Sequence, residues 1–132
     1  MQIVNVDDDP DDREIFCRAV KKVDPDIVCI QLKSGEDAVK FLSKNEVSPE
    51  YIFMDINMPR MNGYECVREI YEFASLKHTE IIMFSSTFNP RDQVDFGVLG
   101  LKYLLKSSSI VTLVESIKKL IHPKLVEEEQ KM

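Results

Sequence analysis

Five short apolar runs, at residues 3–6, 27–32, 51–54, 81–84 and 103–105, alternate with stretches whose apolar residues recur at helical spacing. Few folds accommodate that alternation. Each helical stretch carries its own start signal. Asp9 stands before Pro10, with Ile15, Phe16, Ala19, Val20 and Val23 on one face, and Ser34 with Asp37 precedes Ala38, Phe41 and Leu42. Asn62 precedes Cys66, Val67, Ile70 and Tyr71; Asn89 before Pro90 opens a fourth helix; Ser109 opens a fifth with Leu113, Ile117, Leu120 and Ile121. Strands separated by helices require right-handed crossovers and a parallel sheet covered on both faces. The prediction is a doubly wound α/β domain with a five-stranded parallel sheet.

A chain of 132 residues has the size of one domain, and 44% hydrophobic with 30% charged residues excludes a disordered chain. We place the domain at residues 1–123 and a charged tail, frayed or forming an extra helical turn, at 124–132. The net charge is -6 and the basic residues are scattered, so direct nucleic-acid binding is not expected. No apolar run approaches bilayer length, and the N-terminus is neither basic nor followed by a cleavage pattern, which leads us to expect a cytoplasmic protein. Cys17, Cys29 and Cys66 are widely spaced in apolar-patterned segments and form no C-x-x-C pair; three reduced core thiols are expected.

In such a sheet, ligands bind beyond the carboxyl ends of the strands. The strand ends here collect the reactive side chains. The first delivers Asp7, Asp8 and Asp9, part of a run with five aspartates in six residues. The third delivers Asp55, the fourth Ser85 and Ser86, and the fifth Lys106. Taken singly, each is a common turn former, cap or surface charge. Together, carboxylates from neighbouring strands would repel one another unless a cation sits between them. Hard oxygen ligands without histidine or thiol suit Mg²⁺, with Mn²⁺ as an alternative, and Mg²⁺ is commonly completed by phosphate oxygens. Lys106 as a point charge and Ser85 as a donor match a phosphoryl group, and Asp55 is the candidate nucleophile.

With those residues in that order, the chain resembles a stand-alone response regulator receiver domain from end to end. The segment "MDINMPRMNGYE" adds to the likeness, with Met58, Pro59 and Gly63 following Asp55 as they do in the family. The resemblance implies a flavodoxin-like sheet of strand order 2-1-3-4-5. It implies Mg²⁺ held by Asp8, by Asp7 mainly through water, by Asp55, and by the backbone carbonyl of Asn57. Asp9, with Pro10 after it, reads as the N-cap of the first helix rather than a ligand.

The resemblance also implies a role: Asp55 takes a phosphoryl group from a sensor histidine kinase or phosphotransfer protein and later loses it by autodephosphorylation. It makes the chain a signalling protein rather than an enzyme in the ordinary sense. Ser85 and Tyr103 would form the switch, read out on the face of the fourth helix, fifth strand and fifth helix. With no second domain legible, output is expected through a target protein, a relay step or dimerisation. Ser107 stands where the family usually has proline, removing the ring that favours a cis bond, and Ser85 replaces the commoner threonine. Asn57 and Thr87 occupy positions that tune water access in the family. Asn5, in an otherwise apolar strand, needs a hydrogen-bond partner or an edge position.

Three other readings share parts of this pattern. A haloacid dehalogenase-type phosphatase would use Asp7 as nucleophile and Asp9 as acid, but Asp11 stands where its motif needs Thr or Val. A pseudo-receiver binding module usually lacks parts of the site that this chain keeps. A flavodoxin-like nucleotide binder needs a glycine- and hydroxyl-rich phosphate loop, whereas "DDDPDD" would repel phosphate.

Overall fold

The computed structural model describes residues 1–88 and 100–131. Strands β1 (Gln2–Val6), β2 (Val28–Leu32), β3 (Tyr51–Asp55), β4 (Glu80–Ser85) and β5 (Lys102–Leu105) form one sheet in the order β2-β1-β3-β4-β5. All neighbours are parallel, as predicted. The helices are α1 (Pro10–Val23), α2 (Gly35–Ser43), α3 (Gly63–Ile70) and α4 (Ile110–Lys131), with a 3-10 turn at Ala74–Leu76. The helix predicted from Asn89 lies outside the described residues, so the helix read fifth in the sequence is α4 here.

Side chains alternate between the two faces of a strand, so each strand feeds two cores. Val4, Val6, Ile52, Met54 and Met83 pack with Ala38 and Leu42 of α2 and Cys66, Val67 and Ile70 of α3. Ile3, Phe53, Ile82 and Phe84 pack with Phe16, Ala19 and Val20 of α1 and Leu113, Ile117 and Ile121 of α4. Three rings meet in the second core, the Phe16 centroid lying 4.8 Å from that of Phe53 and 5.4 Å from that of Phe84, with Phe53 and Phe84 6.1 Å apart. Full burial of each such ring contributes roughly 2–3 kcal/mol.

Three expectations change. Cys17 on α1 and Cys29 on β2 are disulfide-bonded, with Cα atoms 5.8 Å apart, rather than reduced thiols. The crossover from β1 through α1 returns β2 alongside that helix, and a separation of 12 residues in sequence gives no sign of it. Cys66 is a free, buried thiol as expected, and burial pushes its pKa up to about 12. The stretch beyond Pro123 is helical through Lys131 rather than a frayed end or single extra turn. Lys124 helps to secure it, donating to the carbonyls of Glu50 at 3.1 Å and His78 at 3.2 Å and lying 4.6 Å from the Tyr51 ring. Asn5 is fully buried and meets its need only in part. Its amide donates to the Phe53 carbonyl at 3.4 Å, while its Oδ1 has no hydrogen-bond partner among the described residues.

Candidate functional site

Strand register brings the site to one rim. Val6 pairs with Leu32 and Met54, Asp55 with Phe84, and Ser85 with Leu105, so the residues ending β1, β3, β4 and β5 emerge side by side. The Asp7 N–H donates to the Leu32 carbonyl at 3.0 Å, carrying β1 geometry one residue further. Its Oδ1 accepts the Asp9 N–H at 3.0 Å, and its carbonyl accepts from the Arg13 guanidinium at 2.7 Å. Asp9 caps α1 as predicted, accepting from the N–H groups of Asp11 at 2.9 Å and Asp12 at 3.3 Å.

Asp55 is set by the tight turn after β3. The Gly63 N–H donates to the Ile56 carbonyl at 2.9 Å, and Asn62 and Glu65 form a reciprocal capping box that starts α3 at that point. Between them the chain turns through Arg60 at φ 67, a left-handed conformation, with its guanidinium 2.7 Å from Glu36. On the other side, the Lys106 N–H donates to the Ser85 carbonyl at 2.8 Å. The serines after Lys106 organise the start of α4. Ser107 Oγ accepts the Ser109 N–H at 3.1 Å, and Ser109 Oγ accepts the Thr112 N–H at 3.3 Å. Every peptide bond among the described residues is trans, Lys106–Ser107 included.

These elements form a cleft of about 220 Å³ lined by Asp7, Asp8, Asp9, Asp12, Asp55, Asn57, Ser85, Ser86 and Lys106. One ligand atom from each of Asp7, Asp8 and Asp55 lies within 4.8 Å of the others. Asp7 and Asp55 are buried and Asp8 is exposed. The Lys106 ammonium lies 2.7 Å from Asp7 Oδ2, 3.0 Å from Asp12 Oδ2 and 3.4 Å from Asp55 Oδ1.

The electrostatics follow from crowding like charges where two of them are buried. Burial, and then the neighbouring Asp7 charge, push the Asp55 pKa up to about 7 against the pull of Lys106. Burial likewise raises Asp7, while Lys106 and the Asp9 N–H oppose it. Burial alone would lower Lys106, but the hydrogen bond and charge of Asp7, with Asp12 and Asp55 behind them, hold it above the ordinary lysine value. Two buried carboxylates left short of positive charge, beside an exposed third, fit a divalent cation that prefers hard oxygen ligands.

All the rim residues read from the sequence are therefore brought together. Tyr103 is not among the lining residues. It is half-exposed on β5 and packs edge-on against Phe88, with centroids 5.1 Å apart. The residue that sequence reasoning missed is Asp12. Its one sequence signal is its place in the first turn of α1, three residues beyond the N-cap, which turns it back over the rim.

Among the described residues, no helix is long and apolar enough to cross a membrane. Protein PilG of Pseudomonas aeruginosa is 31% identical over 119 residues, covering 89% of this chain and 85% of PilG. The transcriptional regulatory protein DegU of Brevibacillus brevis is 30% identical over 126 residues, and the chain spans 52% of its length. The Mn(2+)-bound form of response regulator Rcp1 superposes with a TM-score of 0.76 at 25% identity, covering 91% of each chain. Residues 3–118 match the response regulator receiver domain model. Since that match takes in all five strands and the whole acidic rim, the chain belongs to the response regulator receiver domain family of two-component signalling.

Proposed function

We propose that this receiver domain accepts a phosphoryl group on Asp55 and signals by the conformational change that follows. The observation that supports this best is the placement of a buried Asp55 carboxylate 3.4 Å from the Lys106 ammonium, within 4.8 Å reach of two further aspartates. In the reaction, an Asp55 oxygen forms a bond to phosphorus as the bond from phosphorus to a histidine nitrogen of the donor breaks. The nitrogen keeps the electron pair, and the product is an acyl phosphate. The donor is a sensor histidine kinase or a phosphotransfer protein.

Asp8, Asp7, Asp55 and the Asn57 carbonyl would hold Mg²⁺, or Mn²⁺ in its place, which supplies the positive charge that two adjacent anions need. The chain's own groups do the rest. Lys106, its ammonium 5.6 Å from the Phe84 ring centroid, meets the developing charge, and Ser85 donates to a phosphoryl oxygen. Hydrolysis of the acyl phosphate by water resets the domain. The state with Ser85 turned toward the phosphoryl group is the one favoured on phosphorylation, and Tyr103 follows it inward. Output then runs through the face of β5 and α4, by contact with a target protein or a second copy of the chain. A cytoplasmic location suits a kinase partner, and there the Cys17–Cys29 pair meets the thiol buffer that sets its redox state.

The test is intact-protein mass after incubation with acetyl phosphate and Mg²⁺. One added phosphoryl group that needs both the cation and Asp55 is expected. No adduct from any donor, candidate kinases included, would sink the reading in favour of a binding module that takes no phosphate.

A further inference from the structure

Lys106 is the single cation facing the acidic cleft among the described residues lining it, and three carboxylates share it. An ammonium has three protons to donate, so three carboxylates at 2.7, 3.0 and 3.4 Å leave it no donor to spare. The longest of the three contacts is to Asp55, the proposed phosphoacceptor. Asp12 is closer, yet it stands apart from the cluster of Asp7, Asp8 and Asp55 that could hold a cation. It also differs in setting. Its side chain is 38% exposed, against 7% for Asp55, and it lies on a helical turn fixed by the Asp9 cap.

We propose that Asp12 is a positioning residue for this site: it holds the Lys106 ammonium toward α1 and away from Asp55 until an incoming phosphoryl group displaces it. The idea rests on the phosphoacceptor reading of Asp55. A phosphoryl oxygen and the Asp12 carboxylate compete for the same donors, so the resting domain resists phosphorylation until the transfer supplies the stronger anion. Asp12 acts on the divalent cation in the opposite sense. While it draws Lys106 off, Asp7 and Asp55 are freer to bind a metal.

Removing the Asp12 charge therefore has two effects of opposite sign. In Asp12→Asn, Lys106 leans on Asp7 and Asp55, which weakens Mg²⁺ binding. At saturating Mg²⁺, the same protein takes a phosphoryl group from acetyl phosphate faster. Each change is on the order of twofold to fivefold, the scale of one partly exposed ion pair. A structural defect would lower both together. Asp11→Asn removes the same charge from the same turn at an exposed position that makes no ion pair with Lys106 in the structure, so it reports the general field alone.

The experiment measures Mg²⁺ affinity without donor, and phosphorylation rate at saturating Mg²⁺, for wild type, Asp12→Asn, Asp12→Glu and Asp11→Asn. Weaker Mg²⁺ binding with faster phosphorylation in Asp12→Asn only, and return toward wild type in Asp12→Glu, is the expected result. Asp12→Asn that matches Asp11→Asn in cation affinity overturns the proposal, as does slower phosphorylation. A wild-type protein that binds Mg²⁺ but takes no phosphoryl group overturns the phosphoacceptor reading instead, and the cation comparison still decides the role of Asp12.

Discussion

Gly63 lies directly against the backbone of Asp55. A β-carbon at that position would stand 2.3 Å from the Asp55 carbonyl oxygen and 2.9 Å from the Ile56 Cα. The start of α3 is thus pressed against the residue that carries the proposed chemistry. Because the obstacle is backbone, it has no rotamer by which to yield.

Gly63→Ala is therefore expected to force β3 and α3 apart at the site. We expect a loss of about 2–3 kcal/mol or more in urea unfolding, the scale of an overpacked core position. Weaker divalent-cation binding should accompany it, because Asp55 moves with its backbone. Unchanged cation affinity in the Gly63→Ala protein would show that the close approach does not position Asp55.

The raised pKa of Asp55 makes the metal-free protein pH-sensitive in an unusual direction. Its carboxyl titrates near 7 when folded, against an ordinary value of 3.8. Between those values the folded state binds more protons than the unfolded one, so this group's contribution to stability falls as pH rises from about 4 to about 7. Asp7, also raised, acts with the same sign. Asp55→Asn removes the Asp55 term, so its stability advantage over wild type should grow across that window to on the order of 2–4 kcal/mol. Unfolding curves in chelator at several pH values would measure it, and a pH-independent difference would refute it.

Lys106→Ala strips the positive charge from beside two buried carboxylates. Stability at pH 7 without metal should drop by roughly 3 kcal/mol, the cost of leaving a buried charge unpaired, and added Mg²⁺ should restore much of it. Phosphorylation of this protein is expected to persist at a lower rate, with normal signalling lost. Mass analysis and thermal unfolding with and without Mg²⁺ would check both halves.

Reducing the Cys17–Cys29 bond opens a short loop joining α1 to β2 at the edge of the sheet. Loop-closure entropy predicts a loss of about 3 kcal/mol on reduction or in Cys17→Ser. Neither cysteine lines the acidic cleft, so the phosphorylation rate should hold. Urea titrations with and without reductant, beside the acetyl phosphate assay, separate the two effects.

The layer architecture is legible in the chain before it folds, because strand-length apolar runs separated by capped amphipathic helices have few ways to cover both faces of a sheet. So is the membership of the rim. Asp55 and Ser85 end their strands and Asp7 and Lys106 directly follow theirs, and in a parallel sheet all such ends open on one side. The pairings that cross the fold come from packing. Cys17 meets Cys29 because α1 lies along β2, and neither spacing nor local pattern records which helix covers which strand. Asp12 reaches Lys106 across 94 residues of sequence, since the first turn of α1 and the end of β5 converge over the same cleft. The near-neutral titration of Asp55 was likewise invisible, for it comes from burial and from the Asp7 charge beside it rather than from the carboxyl group itself. Local signals fix what each segment becomes; partners, burial and pKa belong to the packed assembly of segments.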